Sequence, residues 1–600
     1  PIWLKIFLSF ILFLFYVSNV VFLGKINLNW CDNCNVPILG KKCDICNSES
    51  RKVNVTPPGD FKFPLKGDME ILDESFKDIL KINFSEVFSE KVIVLNRIPG
   101  PDRSEEIIVG GYVIATVMHD FNNLRVALRP HFYVVAKEHL KDIFIQADPV
   151  AIESIKKGNN LMAPGIIKIG DYVKKDRDVF IVNDNKIPIA LGISRISKNE
   201  KIEKGMAVKV KFLMDDIKIP DKKGDIKKII EANRNYMKYR EEKSVEMIKK
   251  LDGKNTLVSF SGGKDSLVAL HLAIRSGIKF KTVFLNTGLE FKETIEYVKK
   301  TAEKFQLDLD IIDAGKAFFL NLDHFGPPGR DYRWCCKVCK LGPTTRYIKE
   351  HSNGPIYMII GQRAYESKTR SNSGEIWENR WVPNQIGISP IQNWNSLMVW
   401  IYIFEHGLEY NPWYDNGLWR TGCFMCPSQD LGDLNIVKNN YKEYQKWEEF
   451  LKSYAKKNNI PDEWVSYGLW RWNLLPKFLK SRFGFDGFKR TSLEIEKIDY
   501  GTRFEIKANN VIDLVRLKNM MNILPKNSYE INNKIIIDKR FIDIGIQIIY
   551  ESEECVGCGI CTGRCDKDAL YLKNGKVWIN EERCIHCTKC IGPCPAYAFR

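Results

Sequence analysis

Isolated cysteines are missing from this sequence: all 17 fall in short-spaced clusters. That excludes a disulfide scaffold, which a chain of 600 residues does not need in any case. It points instead to metal binding in a reducing compartment, and so to a cytoplasmic protein. The G-x-x-x-x-G-K-[ST] phosphate loop is also missing, which excludes the commonest nucleotide cradle. Histidine is scarce, with 8 residues. His119, His131 and His139 read as ordinary core or surface residues rather than ligands.

Long apolar runs are almost missing too. Residues 6–23 form the exception, an uncharged stretch between Lys5 and Lys25. At about 1.5 Å rise per residue it just spans a bilayer. Two readings of residues 1–24 stay open: an anchor at the cytoplasmic face, or an over-extended reading frame. One Lys on each side gives no orientation.

What is present divides into several domains, as the length requires. A net charge of +16 suits a nucleic acid or phosphorylated partner, although a lysine-rich solvated face explains it equally. Cys31-x2-Cys34 and Cys43-x2-Cys46, within 25–55, are two knuckles that give one zinc four thiolates. The Thr56-Pro57-Pro58-Gly59 linker opens an α+β region, 56–145, with alternating stretches such as Tyr112-Val113-Ile114-Ala115. Residues 146–215 carry short strands and glycine turns at Gly158, Gly165, Gly170 and Gly205. Residues 216–250, with Ile226, Ile229, Ile230 and Met237 at helical spacing, read as a helical connector.

The chemistry concentrates in 251–500. The run Thr256–Phe260 reads as a buried strand, and Leu267–Ile274 as a helix. Between them lies Ser261-Gly262-Gly263-Lys264-Asp265-Ser266. Strand, glycine turn and helix place free N–H groups around an anion. A second strand, Thr282–Leu285, leads into Thr287-Gly288-Leu289-Glu290-Phe291. The alternation continues through Leu309–Asp313 and Pro355–Ile360, an open parallel sheet that binds ligands at its strand C-termini. Residues 501–550 look like a small α/β connector.

At the C-terminus, 551–600, Cys555-x2-Cys558-x2-Cys561-x3-Cys565 is followed by Cys584-x2-Cys587-x2-Cys590-x3-Cys594-Pro595. This is the two-cluster bacterial ferredoxin run, in which each fourth cysteine completes the other cluster. It assigns Cys555, Cys558, Cys561 and Cys594 to one 4Fe–4S cluster and Cys565, Cys584, Cys587 and Cys590 to a second. An upstream low-potential donor is then required.

Three resemblances refine these expectations. The Ser261–Ser266 loop is similar to the PP-loop of ATP pyrophosphatases, which cut ATP between its α- and β-phosphates. The resemblance implies that Ser261, Gly262, Gly263 and Ser266 bind phosphate and that Lys264 and Asp265 act there, Asp265 through a metal such as Mg2+ or a hydrogen bond. Residues 146–215 resemble a PUA domain, which implies binding of tRNA or another RNA. Finally, residues 250–430 resemble the phosphoadenylyl sulfate (PAPS) reductase family. The stretches that carry this are Thr287–Thr294, Gly361-Gln362-Arg363…Ser367…Arg370, Arg333-Trp334-Cys335-Cys336, Trp394 and Arg420-x-Gly422-Cys423-x-x-Cys426-Pro427.

The reductase resemblance implies nucleotide contacts at Thr287 and Gly288, and an anion clamp from Arg363 and Arg370. It also implies a third 4Fe–4S cluster on Cys335, Cys336, Cys423 and Cys426, with Lys340 nearby. A zinc site on Cys336, Cys339, Cys423 and Cys426 is the rival. With the cluster, Cys339 is left over, and Lys337 and Lys340 would lower its pKa and make it nucleophilic. Two departures matter. The Glu-Cys-Gly nucleophile motif of such reductases is missing, and the phosphate loop is intact where theirs is usually degenerate.

The fold expected is therefore multidomain: a central PP-loop α/β open parallel sheet of adenine nucleotide α-hydrolase type, an N-terminal zinc ribbon, a PUA-like β-barrel and a C-terminal α+β ferredoxin module. The function expected is reduction of an adenylylated sulfur species with electrons from that module. The alternative is an ATP-dependent RNA sulfurtransferase. The nucleotide is ATP or an adenylyl sulfate.

Overall fold

The computed structural model describes residues 28–599 except 101, 122, 141, 201–202, 215–218, 220–222, 353, 488–492 and 511. The apolar run at 6–23 lies outside the described residues. Among those described, no helix is long and apolar enough to cross a membrane.

The central domain holds a six-stranded sheet. Its strands are β1 (Thr256–Ser259), β2 (Lys281–Asn286), β3 (Leu309–Asp313), β4 (Ile356–Ile360), β5 (Ile376–Glu378) and β6 (Gln385–Ile388). The spatial order is β3-β2-β1-β4-β6-β5. All neighbours are parallel except β5, which pairs antiparallel with β6 at the edge. The order reverses between β1 and β4, so the crevice of the fold opens above their C-terminal ends. Ser259 is paired with Ile360 there, which fixes the register of the two loops that follow.

Helix α1 (Lys264–Ser276) leaves β1 and is buried on most sides, including Leu267, Val268, Leu270 and Leu272. Gly277, with φ +75°, ends it in the left-handed conformation that suits glycine. Helix α2 (Lys292–Lys304) buries Thr294, Tyr297, Val298, Thr301 and Ala302, the stripe expected at helical spacing. A π-turn over Lys337–Leu341 runs directly into α3 (Gly342–His351). Such turns interrupt regular helix most often at functional sites.

Before this domain, a three-stranded sheet carries the first four cysteines. A five-stranded antiparallel meander follows, Asp60–Lys62 through Asn123–Leu128. A six-stranded barrel-like sheet comes next, whose first strand is Phe144–Ala147, two residues earlier than expected. The connector is a pair of helices, Ile226–Ala232 and Arg234–Lys249. Ile229 and Met237 are buried as their spacing implies. Asn233, at the junction, accepts from Leu39 N (2.8 Å) and donates to Pro37 O (2.9 Å), so the cysteine-bearing sheet is docked on the connector.

After the central domain, a four-stranded antiparallel sheet begins at Ile495, ahead of the expected boundary at 501. The C-terminal segment adds a two-stranded hairpin, Leu570–Lys573 and Lys576–Ile579. Asn574 and Gly575, both at positive φ, form its turn.

Candidate functional site

The loop after β1 folds as its glycines demand. Gly262 has φ +75°, and a Cβ there would meet Thr294 Cγ2 at 2.8 Å. Gly263 caps α1 at the crevice end of β1, and Lys264 N–H, the first of the helix, donates to the Tyr414 hydroxyl at 2.9 Å. Ser261 and Ser266 hydroxyls are 3.1 Å apart and close the loop on itself. Gly361, after β4, must be glycine, because a Cβ would lie 2.4 Å from the Asp265 carbonyl carbon. The two sequence motifs 100 residues apart are thus locked together at the crevice.

Asp265 is the charged centre of the loop. Lys264 Nζ donates to its Oδ2 at 2.8 Å, and Arg363 Nε lies 2.6 Å from its Oδ1. Burial alone would raise the Asp265 carboxyl, but Arg363 and Lys264 outweigh it and hold the group below the usual carboxylate range. Arg363 is itself gripped by a partner the sequence did not suggest. Asp60, from the first strand of the meander, binds Arg363 Nη1 at 2.6 Å and Nη2 at 3.1 Å. Asp60 Oδ1 also accepts from Ser396 N at 2.7 Å.

The expected arginine clamp therefore divides. Arg363 is buried, and two carboxylates already occupy its guanidinium. Arg370 is half-exposed and pairs with Glu366. Thr287 donates to Glu290 at 2.8 Å through its hydroxyl, and its backbone N–H does the same at 2.8 Å. Gly288 has φ +77°, the conformation its glycine permits.

The middle cysteines sit against this crevice. Cys423 forms an isolated β-bridge with Glu290, and its Sγ lies 3.6 Å from Thr287 Oγ1. Upstream on the same loop, Thr421 Oγ1 is 3.3 Å from where a Cβ on Gly263 would stand. The thiols of Cys335, Cys336, Cys423 and Cys426 lie close enough to act on one another's ionisation. Cys335 hydrogen-bonds Cys336, and that bond together with burial raises its thiol. The same bond, with Arg333 and Lys340, lowers Cys336. Arg333 Nη2 is 3.3 Å from Cys336 Sγ. Lys340 is held in its charged form above all by Cys423, with Cys336, Glu290 and Cys426 adding to the effect. Its expected place beside the quartet is observed.

Cys339 does not behave as expected. It is buried, and desolvation together with the Cys423 and Cys336 charges pushes its thiol up to about 12. The lysine neighbours in sequence were expected to lower it; Lys340 does act in that direction but is outweighed.

Among the described residues, two groups of three or more candidate ligands have their ligand atoms within 4.8 Å of one another. One is Cys31, Cys34, Cys43 and Cys46. Cys31 and Cys46 sulfurs are 3.4 Å apart and Cys34 and Cys43 3.8 Å, the edges of a tetrahedron sized for one zinc. The other is Glu241, Glu405 and His406. Arg275 already places its Nη1 against Glu241 and 3.2 Å from His406 Nε2, which supplies the positive charge a metal would bring. The central quartet is not among these tight groups.

Cysteines of the two C-terminal runs meet. Cys555, Cys558, Cys561 and Cys594 line one cavity of about 400 Å3, open mouth included, and Cys590, expected in the second quartet, lines it too. Burial raises Cys594, and Cys558, Cys561 and Cys555 add to it. Cys590 is raised to about 12 by burial, with Glu551, Cys565, Cys584 and Cys587 contributing. Thiols crowded this way resist ionisation until a metal takes up the charge, and coordination then deprotonates them outright. Both groups of thiols are compatible with bound metal.

Two protein families match the chain in these regions. The phosphoadenosine phosphosulfate reductase domain matches residues 255–429, and the PUA domain matches 144–214. An uncharacterized protein of Methanocaldococcus jannaschii is 35% identical over 470 residues, 75% of this chain and 97% of that protein. An adenosine 5'-phosphosulfate reductase of Bacillus thuringiensis is 33% identical over 181 residues, 29% of this chain and 74% of that enzyme. The crystal structure of phosphoadenylyl-sulfate reductase from Candida auris aligns at 21% identity and TM-score 0.26, over 32% of this chain and 95% of its own.

Proposed function

Because this chain belongs to the phosphoadenosine phosphosulfate reductase family, we propose that it is an iron–sulfur oxidoreductase that reduces an adenylylated sulfur species with electrons from its own C-terminal module. One observation carries the reading: the cysteine loop and the nucleotide crevice are the same place. Cys423 touches Thr287 and bridges Glu290, while Thr421 of the same loop reaches the glycine turn at Gly263.

Four-iron clusters on the central and C-terminal quartets would supply single electrons and no acid–base chemistry. The chain's own residues do the rest. The N-terminus of α1 receives phosphate oxygens on its backbone N–H groups. Gly262 and Gly263 let that backbone approach closely. Lys264 and Arg363 keep Asp265 ionised, as an acceptor for a hydroxyl or a divalent cation. Lys340 and Arg333 place positive charge beside the central cysteines at the edge of the crevice, where it would favour an oxyanion. The net reaction consumes two electrons, breaks the sulfur–oxygen bond to the adenylate and releases sulfite.

A second reading, an ATP-dependent RNA sulfurtransferase, is favoured by one specific pairing. The chain joins a PUA domain at 144–214 to an intact Ser261–Ser266 loop of the ATP-cutting form. Anaerobically reconstituted protein given ATP, adenylyl sulfates and bulk tRNA separates the two. Sulfite release from an adenylyl sulfate supports the reductase. Pyrophosphate release that depends on RNA, without sulfite, overturns it in favour of sulfur transfer.

A further inference from the structure

The two C-terminal quartets are not equivalent in the fold. Cys558 belongs to the same apolar cluster as Cys335, Cys339 and Cys423, with Val556 and Phe599 beside it. Its carbonyl oxygen accepts from Arg346 Nη1, and a Cβ on Gly342 would meet that oxygen at 2.5 Å. Gly342 is the first residue of α3, directly after the turn that carries Cys339 and Lys340. Ile560, two residues beyond Cys558, enters the core under the central sheet with Leu257 and Ile348.

Helix α3 then serves as a ruler. Lys349, in its last turn, donates to the carbonyls of Thr562 (2.7 Å) and Cys565 (3.1 Å). Seven residues separate Gly342 from Lys349, about 10 Å at the helical rise. Cys558 of the first quartet thus lies at the end of α3 nearest the central cysteines, and Cys565 of the second at the far end. The second quartet also reaches the surface, where Cys587 is exposed and Ile585 beside it is 59% exposed.

We infer that the Cys555/Cys558/Cys561/Cys594 group hands electrons to the central site from a seat built by Gly342 and Arg346, and that the Cys565/Cys584/Cys587/Cys590 group receives them through the Cys587–Ile585 face from a low-potential one-electron carrier protein. The inference rests on reading these quartets as four-iron sites. Each passage moves one electron: the carrier is oxidised by one unit, the central group is reduced by one, and no bond or proton changes place. Two passages meet the need of one substrate. Gly342 and Arg346 are positioning residues, since they touch a ligand's backbone rather than substrate.

Iron content and low-temperature electron paramagnetic resonance of the dithionite-reduced chain test this. In the loaded protein the central signal should be broadened by its paramagnetic neighbour. Cys558→Ala should narrow it, whereas Cys584→Ala should leave it broad. Gly342→Val, and the milder Arg346→Gln, should weaken the broadening with iron retained. Ile585→Lys should slow reduction by a reduced bacterial ferredoxin about tenfold while leaving reduction by dithionite unchanged. A loaded chain whose central signal follows Cys584 rather than Cys558, or neither, overturns the order of the groups and leaves the reductase reading standing. A chain that takes up no iron at the C-terminal quartets overturns both.

Discussion

Asp60 is the residue on which the nucleotide crevice turns, and nothing near it in sequence announces that role. It lies 303 positions from Arg363, to which it is bound by two nearly parallel contacts. Removing one partner of a buried pair leaves a desolvated charge behind, at a cost of roughly 3–5 kcal/mol. Asp60→Asn should therefore lower the unfolding midpoint markedly in a thermal melt. It should also weaken ATP binding measured by calorimetry, because Arg363 then draws on Asp265 alone. The Ser261–Ser266 loop, by contrast, was legible from sequence, since a glycine turn between a strand and a helix is a local pattern. The Asp60 contact is long-range, and a lone aspartate after Pro57-Pro58-Gly59 carries no signal of its partner. Asp265 itself should not titrate in the neutral range. Its folded pKa is depressed, so its stabilisation is complete above the ordinary aspartate value and is lost only as pH falls through the lower folded one. Asp265→Ala should abolish nucleotide binding, and Lys264→Ala should do the same, at any neutral pH.

A second buried aspartate behaves in the opposite sense. Burial pushes Asp102 up to about 6, only partly offset by Arg471. The folded chain thus holds this proton more tightly than the unfolded one. Stability is greatest below about pH 4 for this group and is lost as pH rises to about 6, a loss on the order of 2–3 kcal/mol. Asp102 Oδ1 accepts from Gly432 N at 3.1 Å and from Arg103 N at 2.7 Å, contacts an amide oxygen can keep. Asp102→Asn should raise the melting temperature at about pH 8 and change it little at about pH 4. An equal effect at both pH values would show that the carboxyl charge is not the cause.

At the scale of elements, local chemistry explains what could be anticipated. The knuckle spacing at Cys31–Cys46 brings four thiols together, while the strands around them bury Trp30, Val36, Ile38 and Leu39 in the main core. Cys43→Ser should lower the zinc content of the purified protein and raise hydrogen exchange over residues 29–52, while β1 to β6 stay protected. The helices of the connector were legible as one stripe of Ile229, Ile230 and Met237. The break at Asn233 was not, because it answers to the ribbon docked on it rather than to helical propensity. The strand Ile495–Asp499 escaped for a related reason. It lies at the edge of its sheet and its residues are exposed or half-exposed, so it shows no apolar alternation to distinguish it from a loop. That cysteines of the two C-terminal runs come together was readable from their spacing, and Cys594 meets Cys555, Cys558 and Cys561 at one cavity. Which quartet faces the central domain depends on the contact of Gly342 with Cys558, and no spacing rule encodes it.

The whole molecule is tied together by charge as well as by apolar burial. Arg103 of the meander is buried with Glu105 and Asp68 on its own side, and with Asp433 (3.1 Å) and the Gly417 carbonyl (2.7 Å) on the other. Arg97 pairs with Asp430, which Arg330 also binds at 2.9 Å. Arg482 and Asp120 (2.6 Å) add a more exposed contact, and with Asp60–Arg363 three largely buried arginine–carboxylate contacts cross between the meander and the central domain. None of these groups can be left behind in a low-dielectric interface without its partner. The barrel-like sheet is attached in turn, as Phe144, Phe180 and Leu191 share a core with Phe76 and Phe132 of the meander region. A chain built this way cannot release the RNA-binding candidate from the nucleotide site by loosening one linker. Meander, barrel and central domain should unfold in one calorimetric transition, with hydrogen exchange of β1, of Ile93–Arg97 and of Asp178–Val182 lost together. Arg103→Met should lower that single midpoint without splitting it. Two separate transitions, with the barrel melting first, would mean that the ion pairs do not couple the domains and that PUA-domain engagement has no mechanical path to Asp60 and the crevice beyond it.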